Sequence, residues 1–376
     1  MKRVFVGLSG GVDSSVAALL LKQQGYEVIG VYMKNWSQDL PGMPCPWKDD
    51  FTDAKRVAVQ LGIEFKVYDF EKQYRQKVVR YMLDGYKAGF TPNPDIVCNQ
   101  EIKFKLFLET ALEDGADMIA TGHYARIFRG RSSENQKREA RIKKQEVPHD
   151  SYFMPHDTVS LATAKDTNKD QTYFLYRVDA YALSKTIFPL GGLTKNKVRE
   201  LARKAGLVTA DKKESMGICF VGKVGIKDFL SQFVAEKPGN IIDQNGKVIG
   251  KHEGAVFYTI GQRHGLDVGG GLPYYVVGKS IKKNEIYVTT DLQDKKLWSN
   301  RLKLTSPHWI GREPKKSEKL IVRIRHQAKP IPVKLLRQSG SHGWEAELQD
   351  EVRALTPGQS AVFYAGSEVI GGGILI

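Results

Sequence analysis

Two rhythms of apolar residues run through the first third of the chain. Short apolar stretches at 4–8 (VFVGL), 28–33 (VIGVYM), 65–70 (FKVYDF) and 118–121 (MIAT) predict strands. Between them, 16–24 (VAALLLKQQ) and 53–61 (DAKRVAVQL) place apolar residues at helical intervals, and Gly25 and Gly62 stand just past their ends, where helices stop. Strands alternating with helices predict an α/β domain built on a parallel sheet covered on both faces. Ligands of such sheets lie beyond the carboxyl ends of the strands. The loops after Leu8, Tyr32 and Thr121 are therefore expected to meet at one pocket.

The rhythm then changes. Residues 129–148 (RGRSSENQKREARIKKQEVP) are charged and poor in apolar side chains, which predicts a flexible basic insertion extending to about 150. Helical spacing returns at 194–206, with Val198, Leu201, Ala202 and Ala205 on one face, and glycines multiply after it. From about 284 the pattern is short strands separated by turn residues (IYVTT, LIVRIRH, PVKLL, WEAEL, SAVFYA, ILI), predicting a closed or nearly closed β-barrel. The expected division is an α/β domain over 1–205, a small central α+β domain over 206–283 and a barrel over 284–376.

Composition narrows the partners. The 376 residues carry 57 Lys and Arg against 42 Asp and Glu, a formal charge of +15, which favours a polyanion. No apolar run is long enough for a membrane span and no secretory leader is evident, so a cytoplasmic protein with no membrane partner is expected. Cys45, Cys98 and Cys219 are the only cysteines and none forms a CxxC pair. That excludes a disulfide scaffold, a zinc ribbon and a cysteine-ligated cluster, leaving buried structural thiols or reactive ones.

Ser9-Gly10-Gly11-Val12-Asp13-Ser14-Ser15 lies between the first strand and first helix. Glycines let backbone wrap phosphate oxygens, and the helix start offers unpaired N–H groups and a positive dipole end. Asp13 is awkward beside phosphates unless it orients a metal or caps the loop. The GK[ST] ending of a Walker loop is absent, so kinase-like chemistry at the γ-phosphate is not indicated. Cys98 follows two loop-fixing prolines in Thr91-Pro92-Asn93-Pro94-Asp95 and precedes a helical pattern carrying Lys103 and Lys105. Cys219 follows the basic pair Lys212-Lys213 in a glycine-bearing loop. Cationic neighbours are expected to favour thiolate at both.

SGGVDSS after the first strand resembles the pyrophosphate loop of the ATP pyrophosphatases, which split ATP between the α and β phosphates. GLSGGVDSSVAA, TPNPDIVCNQEIKF, ATGHYAR, NKDQTYFL, FPLGGLTKNKVRELA, SMGICFVG, KPGNI, YTIGQRHGL and YYVVGK, in this order from residue 7 to about 279, together resemble the tRNA-uridine 2-sulfurtransferase family. The resemblance implies an adenine nucleotide α-hydrolase-like fold for the first domain and 2-thiolation of the wobble uridine of tRNA. It implies that Gly7, Leu8, Ser9, Gly10, Gly11, Val12, Asp13 and Ser14 hold ATP with Mg²⁺, that Met33 contacts adenine and that Gly122 lines the nucleotide site. Asn93, Pro94 and Asp95 would face the target base. His123, Lys169, Asp170 and Gln171 would contact tRNA, as would Arg325, His326 and Gln359 from the more loosely matching barrel. Cys98 would be the nucleophile and Cys219 the persulfide carrier. The implied partners are tRNAs for Lys, Glu and Gln and a persulfide donor such as a cysteine desulfurase or sulfur-relay protein.

The chemistry suits two thiols. Adenylating a uridine 2-oxygen turns it into a leaving group. A persulfide on Cys219 can then attack the carbon while Cys98 resolves the sulfur–sulfur bond, or Cys98 can first release hydrosulfide. Two departures stand out: Ser215-Met216 before Gly217, where the family has Ser-Gln or Ser-Thr, and Gln100, where many members have Lys. Cys45 has no implied role. Two rival readings remain. An amidating ATP pyrophosphatase would tolerate loss of either cysteine. A non-catalytic RNA-binding protein with a decayed loop would not bind ATP.

Overall fold

A computed structural model describes residues 1–39, 47–130, 158–213, 225–266, 268–269, 271, 273–315, 317–340 and 343–376. Cys45, Cys219 and the basic insertion from 131 onward lie outside these. The first domain is built on five parallel strands, β1 (Arg3–Gly7), β2 (Glu27–Lys34), β3 (Glu64–Asp69), β4 (Met118–Ala120) and β7 (Thr186–Ile187), in the order β3-β2-β1-β4-β7. Val4, Phe5 and Val6 are buried on both faces of β1, as expected of the central strand of a sheet covered by helices. Helices α1 (Val12–Gln23) and α2 (Trp47–Leu61) bury Val16, Leu21, Val57 and Leu61 on one face. On the other, the long helix through Glu71–Tyr74, Arg75–Val79 and Arg80–Lys87 packs with one running from Pro94 to Glu113. Strand order reverses at β1, which places the loops after β1 and β4 side by side.

The central domain is a four-stranded sheet of β8 (Gly239–Ile242), β9 (Val248–His252), β10 (Tyr275–Ser280) and β11 (Glu285–Thr289), ordered β10-β11-β8-β9. Its own small core gathers Ile241, Val276, Ile286 and Val288. The IYVTT segment, read from its alternation as the head of the barrel, is β11 of this sheet and pairs with β10 and β8. Alternation reports a half-buried strand but not its partner.

The barrel closes on six strands: β12 (Trp298–Trp309), β13 (Ile321–Arg323), β14 (Ile331–Ser339), β15 (Gly343–Arg353), β16 (Ser360–Ala365) and β17 (Glu368–Leu375). Closure is the β12–β17 pairing, where a Cβ on Gly371 would lie 2.1 Å from the His308 carbonyl oxygen. The hairpin of β5 (Ala125–Gly130) and β6 (Thr158–Thr163), which brackets the basic insertion, extends from β17. The first domain and the barrel thus share a continuous sheet. Among the described residues no helix is long and apolar enough to cross a membrane.

Candidate active site

The Ser9–Ser15 turn is held open by its own hydroxyls. The Ser9 N–H donates to Ser14 Oγ (3.1 Å), and the Ser14 and Ser15 hydroxyls donate to the Gly11 carbonyl (3.1 and 2.8 Å). Gly10 has φ +73°, and a Cβ there would sit 2.3 Å from the Asp50 carbonyl oxygen of α2. Gly11, the N-cap of α1, has no side chain to offer the first amides of that helix. A Cβ on Gly122, after β4, would fall 2.7 Å from the Ser14 amide nitrogen. The loops after β1 and β4 therefore meet, as the strand order requires, and the first turn of α2 closes on the same turn. Met33, 7% exposed at the end of β2, reaches toward Gly7, where a Cβ would stand 3.0 Å from its methyl.

Asp13 does not face the turn unaccompanied. Lys195, 8% exposed, donates from Nζ to both carboxylate oxygens (2.8 and 2.7 Å), and the Tyr124 hydroxyl donates to Oδ1 (2.8 Å). Thr209 Oγ1 donates to Ser15 Oγ (3.0 Å), and Lys212 bridges Asp50 and Asp53 of α2 (2.8 and 2.6 Å). Residues 209–212 are thus docked on α1 and α2 immediately before the segment containing Cys219. Where the chain is next described, Phe229 of the helix Ile226–Ser231 packs on Trp36, in the loop after β2, at 5.7 Å.

Asn93 caps the next helix by accepting from the Asp95 N–H (3.1 Å), with Pro94 in the first turn. Cys98 is 0% exposed and opens a π-helical stretch, Cys98–Leu106. Such wide turns concentrate at functional sites. Of Lys103 and Lys105, expected to bias the thiol, Lys105 lies 3.9 Å from Glu101, whose carboxylate also pairs with Lys77 at 2.7 Å. Gln100, the departure from Lys, accepts from Arg177 Nε (2.7 Å), and Asn99 Nδ2 donates to the Phe174 carbonyl (3.1 Å). Further along, Phe104 packs on His123 and Phe107 lies beside Gly7, so this helix lines the carboxyl edge of the sheet.

Sequence comparison gives the family. Residues 2–223 match the model described as tRNA methyl transferase HUP domain, 227–290 the PRC-barrel domain of the same series and 299–375 the aminomethyltransferase beta-barrel domain. The tRNA-specific 2-thiouridylase MnmA of Bacillus subtilis is 45% identical over 375 residues, covering 99% of this chain and 94% of that one. The chain belongs to the tRNA-specific 2-thiouridylase family. Namesakes from Geobacillus kaustophilus (44% over 375 residues) and Listeria monocytogenes serotype 4b (45% over 376) each match 99% of the chain and 94% of their own length.

The remaining residues expected to touch tRNA are distributed unevenly in this thiouridylase. His123 is buried between Phe104 and Phe188, with Nδ1 2.8 Å from Thr121 Oγ1. Burial, reinforced by Lys103, holds its pKa well below the usual imidazole value, so the ring is neutral. Lys169 and Gln171 are half-buried, and Gln171 Oε1 accepts from the Tyr124 N–H (2.9 Å). Asp170, expected at a tRNA surface, is instead 1% exposed, accepting from the Ala164 N–H, from Thr172 Oγ1 and from Arg323 at 3.2 Å. A carboxylate beside RNA phosphates would be repelled. Enclosed, it ties the first domain to the barrel.

The barrel residues behave alike. Arg325 donates to the Ala354 carbonyl (2.9 Å) and Thr356 Oγ1 (3.0 Å), His326 lies on Phe174 (4.5 Å between centroids), and Gln359 Nε2 donates to the Thr91 carbonyl (2.7 Å). The Thr91 N–H donates to Pro357 O (2.8 Å) and its hydroxyl lies 3.4 Å from that of Thr259 in the central domain. All three domains meet at this residue, two before Asn93. Lys195 and Tyr124 escaped the sequence reading, although both fall inside quoted motifs, because only the fold brings them to Asp13.

Proposed function

We propose that the chain transfers sulfur to the 2-position of the wobble uridine of tRNA in two stages, an ATP-dependent adenylation and a sulfur transfer. The observation that carries this is the glycine turn at 9–14 lying at the same sheet edge as the Cys98 helix, with residues 209–212 packed on α1 and α2 and Phe229 on the loop after β2, on either side of the Cys219 segment.

ATP sits with its phosphates on the Gly7–Ser14 amides and its base against Met33. The uridine 2-oxygen attacks the α-phosphorus, the bond to the β-phosphate breaks, and pyrophosphate leaves with its charge held by helix amides. The terminal sulfur of a Cys219 persulfide then attacks C2 and expels AMP. Cys98, as thiolate, attacks the Cys219 sulfur. The electron pair of the broken S–S bond passes to the sulfur on C2, giving 2-thiouridine and a Cys98–Cys219 disulfide for an external thiol to reduce. Hydrosulfide released by Cys98 ends at the same disulfide. The persulfide comes from a donor such as a cysteine desulfurase or relay protein.

Asn93, Pro94 and Asp95 face the base, which must leave its stack to enter. His123, neutral and walled by phenylalanines, suits a base-lining role better than a phosphate contact. Mg²⁺ finds no ready-made seat: among the described residues no cluster of three His, Cys, Asp or Glu is present, and the Asp13 carboxylate already holds an ammonium that would repel a cation. Mg²⁺ would therefore arrive with the nucleotide, on its phosphates, where it would offset their charge.

The test is nucleoside mass spectrometry of tRNA incubated with the protein, ATP and a persulfide donor. Formation of 2-thiouridine, its loss in Cys98→Ser and Cys219→Ser, and a Cys98–Cys219 disulfide after a single turnover are expected. Unimpaired thiolation by either serine variant would overturn the scheme.

A further inference from the structure

We infer that Lys195 is a positioning residue of the nucleotide site whose task is to cancel the charge of Asp13, and that Tyr124 holds the same carboxylate in place. This deepens the assignment of the 9–14 turn to ATP phosphates and rests on it. Asp13 is the second residue of α1, so its carboxylate lies beside the helix amides that would receive a polyphosphate. An isolated carboxylate there helps the helix dipole in the empty protein but opposes an arriving anion.

The structure answers this conflict from a distant part of the chain. Lys195 lies 182 residues away in sequence, at the first position of the helix Lys195–Lys204. Its backbone N–H is tied to Asp166 (2.9 Å), its side chain is 10% exposed, and its ammonium meets both oxygens of Asp13. The Tyr124 hydroxyl adds a third donor, and its own N–H and carbonyl are fixed by Gln171. A long cation held at both oxygens of this carboxylate has lost much of its side-chain freedom, so the pair is set before any ligand arrives. The loop keeps its helix-amide field while presenting no net negative charge to phosphates.

The prediction is a double-mutant cycle on binding of α,β-methylene-ATP, which cannot be cleaved at the reacting bond, read by calorimetry with and without Mg²⁺. Lys195→Met should weaken binding by about tenfold or more, because it leaves Asp13 uncompensated. Asp13→Asn, whatever its own affinity, sets the reference, and Asp13→Asn/Lys195→Met should bind as tightly as Asp13→Asn, a rescue that general disruption of the fold would not give. Lys195→Arg should retain most of the affinity. Parent-like binding by Lys195→Met, or a double variant as weak as Lys195→Met, would overturn the assignment, the latter by showing that the ammonium touches the phosphates itself. If Lys195→Met does not fold, the double variant against Asp13→Asn decides alone: equality supports charge cancellation and a tenfold gap refutes it. A parent protein without affinity for the analogue would instead sink the ATP reading.

Discussion

His123 shows how far burial can change what a residue offers. Its sequence neighbours, Gly122 and Tyr124, lie against the Ser9–Ser15 turn, and an imidazole there is expected to contact tRNA. Enclosed by Phe104 and Phe188, it is kept neutral by desolvation. The consequence is a pH-dependent stability whose sign is fixed. Below about 6.5 the unfolded chain takes up a proton on this ring and the folded chain does not, so stability falls as pH falls, by at most about 1.4 kcal/mol per pH unit for this one group. Thermal melts from pH 7.5 to 5.5 should show the decline, and His123→Gln should flatten it. A variant whose pH slope matches the parent's would show that the ring titrates alike in the folded and unfolded chain, against this reading. Burial likewise lowers the pKa of His308 and His326, so part of the slope will survive the substitution.

At the scale of elements, the helix bearing Cys98 owes its start to Asn93 and Pro94. The Asn93 side chain satisfies an amide that would otherwise be unpaired, and proline fixes the first-turn dihedral. Asn93→Ala should therefore cost about 1 kcal/mol, whereas Asn93→Asp, which keeps the acceptor, should cost much less. If Asn93 also faces the target base, both variants should lose thiolation while only the alanine loses melting temperature. Equal melting temperatures for the two would show that the cap adds nothing. The wide π-helical turns beginning at Cys98 are a separate device, one that no apolar periodicity at 3.6 residues would reveal.

Across the whole molecule, the barrel is a structural partner of the first domain as well as an appended module. Tyr173 and Tyr176, both fully buried, direct their hydroxyls to the carbonyl and hydroxyl of Ser360, and β6 pairs with β17. A chain ending at residue 298 would expose both tyrosines and an unpaired strand edge. It should precipitate or melt without a cooperative transition, and a fragment melting within about 5 °C of the full chain would contradict this. The formal charge of +15 predicts that tRNA affinity falls on the order of a hundredfold between 50 and 200 mM salt. Filter binding across that range with a flat response would rule out a binding mode dominated by phosphate contacts.

Much of the first domain could be read without coordinates. Strands and helices alternate because buried parallel strands need apolar runs and their covering helices need apolar faces, and the SGGVDSS turn needs Gly10 where Asp50 presses in. These are local requirements, so the local sequence records them. Partnership is not local. That IYVTT joins the central sheet, that Asp170 turns inward to Arg323, that Thr91 is gripped by Gln359, and that Lys195 crosses 182 residues to neutralise Asp13 all follow from which surfaces pack together. The sequence by itself determined the chemistry available at the edge of the sheet. The tertiary structure decided which charges that chemistry meets, because electrostatic and hydrogen-bond energies depend on distances that only packing sets.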